Sequence, residues 1–211
     1  MKNTLVIIPT YNEVNNVSRI ISSVFSQPLN IDILIVDDNS PDGTSSLIKK
    51  LIKNNKKKLF LLERKKKVGL GAAYVAGFLW GIKKKYDFIF EMDADFSHDP
   101  ACLSDMVDAL KNKTDVIVGS RYKEGINVVN WPLGRILLSY SASLYVRVIT
   151  GMPVKDPTAG YVGYKRKVLE SLQLNKIQFV GYAFQIEMKY KSWKNNFKIH
   201  EYPIIFKNRT I

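Results

Sequence analysis

A three-layer α/β domain with a mostly parallel central sheet is the fold class this sequence predicts, on three observations. Thr4-Leu5-Val6-Ile7-Ile8 is a continuous, β-branched apolar run, the composition of a strand covered on both faces. Strand-like runs then alternate with amphipathic stretches through the first 119 residues, as strand–helix–strand crossovers do. The strand-like Phe88-Ile89-Phe90 is followed by two aspartates, Asp93 and Asp95, and in such folds ligands collect at the carboxyl ends of the strands.

The elements follow in order. Pro9 stops the first strand. A helix fits Val14, Val17, Ile20, Ile21, Val24 and Phe25, whose spacing makes one apolar stripe. Residues 31–36 give a second strand that runs into Asp37 and Asp38. Ser40-Pro41-Asp42-Gly43 is a turn, and Thr44 is placed to cap the helix that buries Leu47, Ile48 and Leu51. Residues 59–62 are a third, short strand. Gly69-Leu70-Gly71 opens a helix of small residues, including Ala73 and Gly77, able to approach the sheet or a ligand closely. Residues 88–92 form the next strand, a helix follows near residues 101–110, and residues 115–119 form another strand.

After Gly119 the pattern changes. Leu133-Gly134-Arg135 leads into a helix carrying Ile136, Leu137, Leu138, Leu144, Val148 and Ile149, with Arg135 and Arg147 near its ends. Two readings stay open for it: a core helix, or one lying on a membrane or against a membrane protein. Asp156-Pro157-Thr158-Ala159-Gly160 reads as a loop and residues 161–164 as a short strand. Helices fit residues 165–172 and 182–193, ahead of a strand at 197–206. The chain stops at Ile211 with no terminating element, so a truncated C-terminus is expected.

A chain of 211 residues, 46% hydrophobic and 24% charged, is ordinary globular material and fills one domain with a sizeable core. The lone Cys102 excludes an intramolecular disulfide, and a spectator thiol in a reduced compartment is expected. No signal peptide is expected ahead of a strand that starts at Thr4, and no apolar run has the length to span a bilayer. The net charge of +13 comes in good part from Lys56-Lys57-Lys58, Lys65-Lys66-Lys67 and Lys83-Lys84-Lys85. Such runs suit nucleic acid, anionic lipid or a phosphorylated substrate, or are simply a solvated surface. They lack interleaved aromatics and accompany no nucleic-acid module, so a nucleic-acid partner is not expected.

Alternate residues of an extended segment share a face, so Asp93 and Asp95 can approach one hard cation, Mg²⁺ or Mn²⁺, completed by substrate phosphates. The plainer alternative is that one aspartate caps a turn and the other is solvated. Glu91 should face the other way. Two more strand ends reach the same edge: Pro9-Thr10-Tyr11-Asn12-Glu13 offers an aromatic platform, and Asp37 and Asp38 offer acceptors for a ribose or a base edge. Gly69 and Gly71 form neither a phosphate-binding loop nor a dinucleotide fingerprint, which argues against NTPase and dehydrogenase chemistry.

The full ordered set of motifs resembles the family 2 glycosyltransferases, within them the dolichyl- or polyprenyl-phosphate mannose synthases. It comprises Pro9-Thr10-Tyr11-Asn12-Glu13, Val36-Asp37-Asp38-Asn39-Ser40-Pro41-Asp42-Gly43-Thr44, Gly69-Leu70-Gly71, Met92-Asp93-Ala94-Asp95-Phe96-Ser97-His98 and Gly119-Ser120-Arg121-Tyr122. Pro132-Leu133-Gly134-Arg135, Asp156-Pro157-Thr158-Ala159-Gly160-Tyr161 and Phe184-Gln185-Ile186-Glu187 complete it. The resemblance implies a Rossmann-like GT-A fold for nucleotide-diphospho-sugar transfer, as one catalytic domain over 1–211. Residues 1–119 would be its nucleotide-sugar half and 120–211 its acceptor and membrane-facing half. It further implies that Pro9, Tyr11, Glu13, Asp37 and Asp38 line the donor pocket, and that Asp93, Ala94 and Asp95 meet the metal and diphosphate. Arg121, Arg135 and Arg209 would serve the acceptor phosphate, with a polar group near Ser143. The implied reaction is inverting transfer of mannose from GDP-mannose to a polyprenyl phosphate, with Asp95, Arg121 and Arg135 central. It would run on a protein bound peripherally to the cytosolic membrane surface, with a membrane protein as a further partner. UDP-glucose as donor, another sugar acceptor, or a silent nucleotide-sugar-binding subunit are the alternatives.

Overall fold

The computed structural model describes residues 3–208. Its centre is a seven-stranded sheet made of β1 (Thr4–Thr10), β2 (Ile31–Asp37), β3 (Leu59–Glu63), β4 (Phe88–Glu91), β5 (Val116–Ser120), β7 (Val162–Lys165) and β8 (Ile199–Pro203). The spatial order is β3-β2-β1-β4-β7-β5-β8. Every strand runs parallel to its fellows except β7, which is antiparallel to both β4 and β5. The mostly parallel sheet is therefore as expected, and the second half of the chain threads β7 into its middle.

Alternate residues of each strand feed two cores. On one face Val6, Ile8, Ile33, Ile35 and Phe90 pack against α1 (Val17–Phe25), α2 (Thr44–Asn54) and α4 (Leu103–Asn112). On the other, Leu5, Ile7, Leu34, Ile89 and Val118 meet α3 (Leu70–Lys83), α6 (Arg166–Ser171) and α7 (Tyr182–Lys194). That two-sided burial explains the continuous apolar runs. The close approach expected of α3 is real: a Cβ on Gly77 would stand 2.7 Å from the Ile7 side chain.

Several local expectations are corrected. Helix α1 starts at Val17, and Val14 lies in the preceding turn, its N–H bonded to the Asp42 carboxylate at 3.1 Å. Thr44 is the first residue of α2 and does not cap it; the Asp42 carboxylate accepts the Thr44 N–H at 3.0 Å and its hydroxyl at 2.6 Å. The stretch before α4 opens as a 3-10 turn at Pro100–Cys102. The expected strand at 197–206 is split, because Phe206–Lys207 (β9) leaves the sheet to pair with Val128–Val129 (β6).

Helix α5 (Leu133–Thr150) is not a core helix. Ser143 is its one buried residue, while Leu138, Val148 and Leu133 are 74, 73 and 71% exposed. Among the described residues no helix is long and apolar enough to cross a membrane.

Candidate active site

The carboxyl ends of β1, β2, β3, β4 and β5 share one edge of the sheet, and because β7 is antiparallel, the 156–161 loop enters there too. Pro9, Tyr11, Glu13, Asp37, Asp38, Asp93, Ala94, Asp95 and Arg121 lie at or just beyond these strand ends, and Arg135, in α5, shares the Trp131 ring with Arg121. Arg209 lies outside the described residues.

On the donor side, Pro9 is part-buried opposite Val36, and Tyr11 is exposed, with the Lys67 ammonium 4.0 Å from its ring centroid. Glu13 accepts from the Asn16 amide at 2.9 Å, and its N–H reaches the Thr44 hydroxyl at 3.1 Å. Asp37 is fully buried. Its carboxylate accepts the Thr10 hydroxyl at 2.8 Å, the Ser40 N–H at 2.9 Å and the Ser40 hydroxyl at 2.6 Å. It thus braces the β1 and β2 ends from beneath. Asp38 is the more forward of the two and pairs with the Arg64 guanidinium at 2.8 Å. Burial raises its carboxyl above the usual range despite Arg64, which pulls the other way.

Beyond β4 the chain bends, with Phe96 at φ 61°. Asp93 accepts the Tyr74 hydroxyl at 3.0 Å, and its N–H donates to His98 Nδ1 at 3.1 Å. Nδ1 also stands 4.0 Å from the Asp93 carboxylate, but a nitrogen that accepts an N–H carries no proton of its own. The contact is therefore no ion pair, in keeping with burial lowering the His98 pKa. Ala94 and Asp95 are buried, and Asp95 accepts the Ser97 N–H at 3.0 Å. Glu91 does face away, fully buried and bonded to the Gln185 amide.

Asp93 and Asp95 are two hard oxygen ligands just beyond the end of β4, a set suited to Mg²⁺ or Mn²⁺. Among the described residues no group of three or more His, Cys, Asp and Glu side chains could hold an ion. The pair therefore fits a cation whose shell is completed by the phosphates of a ligand rather than by a protein cage.

The arginines differ in kind. Arg121 is buried, its Nε and Nη2 forming a fork onto Asp156 at 2.8 and 2.6 Å, and Nη2 also reaching the Thr158 hydroxyl at 2.7 Å. Arg135 is exposed, bonded to the Asn208 side chain at 2.9 Å and stacked 3.9 Å from the Trp131 ring centroid. The Ser143 hydroxyl, by contrast, turns back to the Ser139 carbonyl at 3.0 Å within α5.

Sequence reasoning gave no role to Tyr74, Arg64, His98, Asp156, Thr158 or Trp131. Asp156, Thr158 and His98 stood within the quoted motifs, but nothing local showed what they would touch. A further buried group lies beneath the site: the Lys189 ammonium donates to the Ala159 carbonyl at 2.6 Å and to Gln185 Oε1 at 3.2 Å.

The chain is similar to known proteins over nearly its whole length. Residues 5–173 match the family described as glycosyl transferase family 2. The chain is 44% identical over 208 residues to the polyprenol monophosphomannose synthase of Mycolicibacterium smegmatis, covering 99% of this chain and 78% of that protein. It is 38% identical over 207 residues to the undecaprenyl-phosphate mannosyltransferase of Micrococcus luteus, covering 98% and 84%. Among solved structures, glucosyl-3-phosphoglycerate synthase from Mycobacterium tuberculosis, in complex with Mn²⁺, UDP and glucosyl-3-phosphoglycerate, superposes with a TM-score of 0.71 at 16% identity, over 99% of this chain and 71% of that one. The mannosyltransferase PcManGT from Pyrobaculum calidifontis, in complex with GDP-Man and Mn²⁺, superposes with a TM-score of 0.66 at 16% identity, over 99% and 57%. At such identities the two structures establish a common fold, the GT-A fold.

Proposed function

We propose that this chain, which belongs to glycosyl transferase family 2, moves mannose from GDP-mannose to the phosphate of a polyprenyl phosphate. The observation that carries the reading is the meeting, at one sheet edge, of the Asp93–Asp95 pair with the fixed Arg121 and the exposed Arg135. The sugar and the lipid follow from relatives that match nearly the whole chain and are named for mannose and polyprenyl phosphates.

The donor lies over Pro9, Tyr11 and Glu13, with Asp38 at the base or ribose and Asp37 holding the floor. Asp93 and Asp95 would hold Mg²⁺ or Mn²⁺, which would supply positive charge where the diphosphate becomes a leaving group. Tyr74 fixes one oxygen of Asp93, and the His98 ring fixes its backbone, so the carboxylate keeps its aim. Arg135 offers its guanidinium fork to the acceptor phosphate, while Arg121, clamped by Asp156, supplies the wall behind it. One phosphate oxygen forms a bond to the anomeric carbon as the bond from that carbon to the GDP oxygen breaks, the electron pair leaving with GDP. The configuration inverts. The acceptor is already an anion at neutral pH, so positioning matters more than a protein base.

The apolar face of α5 lies against the cytosolic membrane surface, where the lipid tail stays while its phosphate reaches the edge. Residues 1–211 form one catalytic domain, donor half first and acceptor half second.

Purified protein given labelled GDP-mannose or UDP-glucose with short polyprenyl phosphates tests the reading. Label from GDP-mannose should enter the lipid phosphate, and Asp95→Asn should lower turnover on the order of 10²-fold or more while leaving the circular dichroism unchanged. Transfer from UDP-glucose alone would replace the sugar, and transfer to no polyprenyl phosphate would remove the acceptor.

A further inference from the structure

We propose that Trp131 is a positioning residue of the acceptor side, the plate that holds Arg135 in place and sets its distance from Arg121. The proposal rests on the acceptor reading above. The two arginines are immobilised by different means. Arg121 is held by a carboxylate, through two bonds to Asp156, so much of its charge is already balanced. Arg135 is held by uncharged groups, the Trp131 ring at 3.9 Å and the Asn208 amide oxygen at 2.9 Å. A guanidinium stacked on indole is ordered by the ring's negative face without being neutralised, and its fork stays available to a phosphate. A second carboxylate there would compete with the phosphate for the same N–H groups.

The same ring also faces the first arginine, whose guanidinium carbon is 5.6 Å from its centroid. One flat side chain therefore neighbours both cations. Trp131 is itself anchored, edge-on to Phe206 at 5.4 Å, and Phe206 is edge-on to His98 at 5.7 Å. His98 in turn accepts the N–H of Asp93. A row of rings thus runs from the carboxylate loop to Arg135, and both ends of the site are built on it. The Trp131 indole N–H is buried with no hydrogen-bond partner among the described residues.

The test uses the full chain with Trp131→Leu and Trp131→Phe, their folding checked by circular dichroism. With a short-chain polyprenyl phosphate and GDP-mannose, Trp131→Leu should raise the acceptor KM about tenfold or more with the GDP-mannose KM unchanged. Trp131→Phe, which keeps an aromatic face, should recover most of that loss. Adding the polyprenyl phosphate without donor should shift the tryptophan emission of the wild type, and the shift should vanish in Trp131→Phe, where Trp80 and Trp193 remain. A folded Trp131→Leu with the wild-type acceptor KM overturns the proposal. If the Leu variant does not fold, an emission shift in Trp131→Phe equal to that of the wild type overturns it. Either result would leave a mannosyl-transferring wild type intact. A wild type that transfers to no polyprenyl phosphate overturns the acceptor reading itself, and this proposal with it.

Discussion

Glu91 ends β4 two residues before Asp93, and burial raises its carboxyl to about 7, against the partial opposition of Gln185, Lys189 and Tyr164. An acid whose folded pKa lies above its ordinary 4.5 binds protons more strongly in the native state, so its contribution to stability is full at low pH. It is lost as pH rises from about 4.5 to about 7, on the order of 3 kcal/mol in all. Lys189 has the opposite sense: burial lowers it to about 8, so its cost to stability fades as pH climbs from about 8 towards 10.5. Thermal melts of the wild type should therefore slope downward between pH 5 and pH 7, and Glu91→Gln should flatten that slope. Parallel wild-type and variant curves would show that Glu91 is ionised in the native state throughout. Cys102 fits its expected role as a spectator, since burial pushes its thiol up to about 11.

Among the elements, α5 is the one on which the proposed membrane docking turns. Leu133, Leu137, Leu138, Tyr145, Val148 and Ile149 are all more than half exposed along one broad face. Each large apolar side chain moved from water into lipid is worth about 1.5–3 kcal/mol, so a pair of charges placed here should be decisive for docking. Leu138→Glu combined with Val148→Glu should lower cosedimentation with anionic liposomes by at least about tenfold while shifting the unfolding free energy by no more than about 1 kcal/mol, because neither side chain touches the core. Unchanged liposome binding would take α5 off the membrane. The sequence left this helix undecided, because an apolar stretch has the same composition whether it is covered by protein or by lipid. It also left the direction of β7 unread. Val162 and Tyr164 are core residues in either direction, and antiparallel pairing with β4 and β5 is fixed by the path of the chain through 120–161. Thr44 was misplaced for a local reason: its hydroxyl and its own N–H are both committed to the Asp42 carboxylate two residues earlier.

Over the whole molecule, the charge of +13 is not gathered at the site. Lys65-Lys66-Lys67 follows β3 at the ligand-binding edge, whereas Lys56-Lys57-Lys58 precedes β3 and Lys83-Lys84-Lys85 precedes β4, at the opposite edge. Only the first run shares an edge with the carboxylates, and its attraction for anions is screened over about 10 Å at moderate salt. The layered fold and the carboxylate pair were legible because they are written in short-range patterns: apolar runs, helical stripes, and two aspartates one residue apart. The partnerships that aim the site were not, since Arg121 and Asp156 are 35 residues apart, Asp38 and Arg64 are 26 apart, and each looks like ordinary surface charge until the chain folds. In the proposed reaction a lipid phosphate and a nucleotide-sugar meet at this edge, each with its own residues. The sharpest test of that meeting is the effect of Arg135→Ala on acceptor KM and GDP affinity in the same preparation. The predicted result is an acceptor KM raised at least about tenfold with GDP affinity unchanged; equal loss of GDP binding and acceptor use would contradict it.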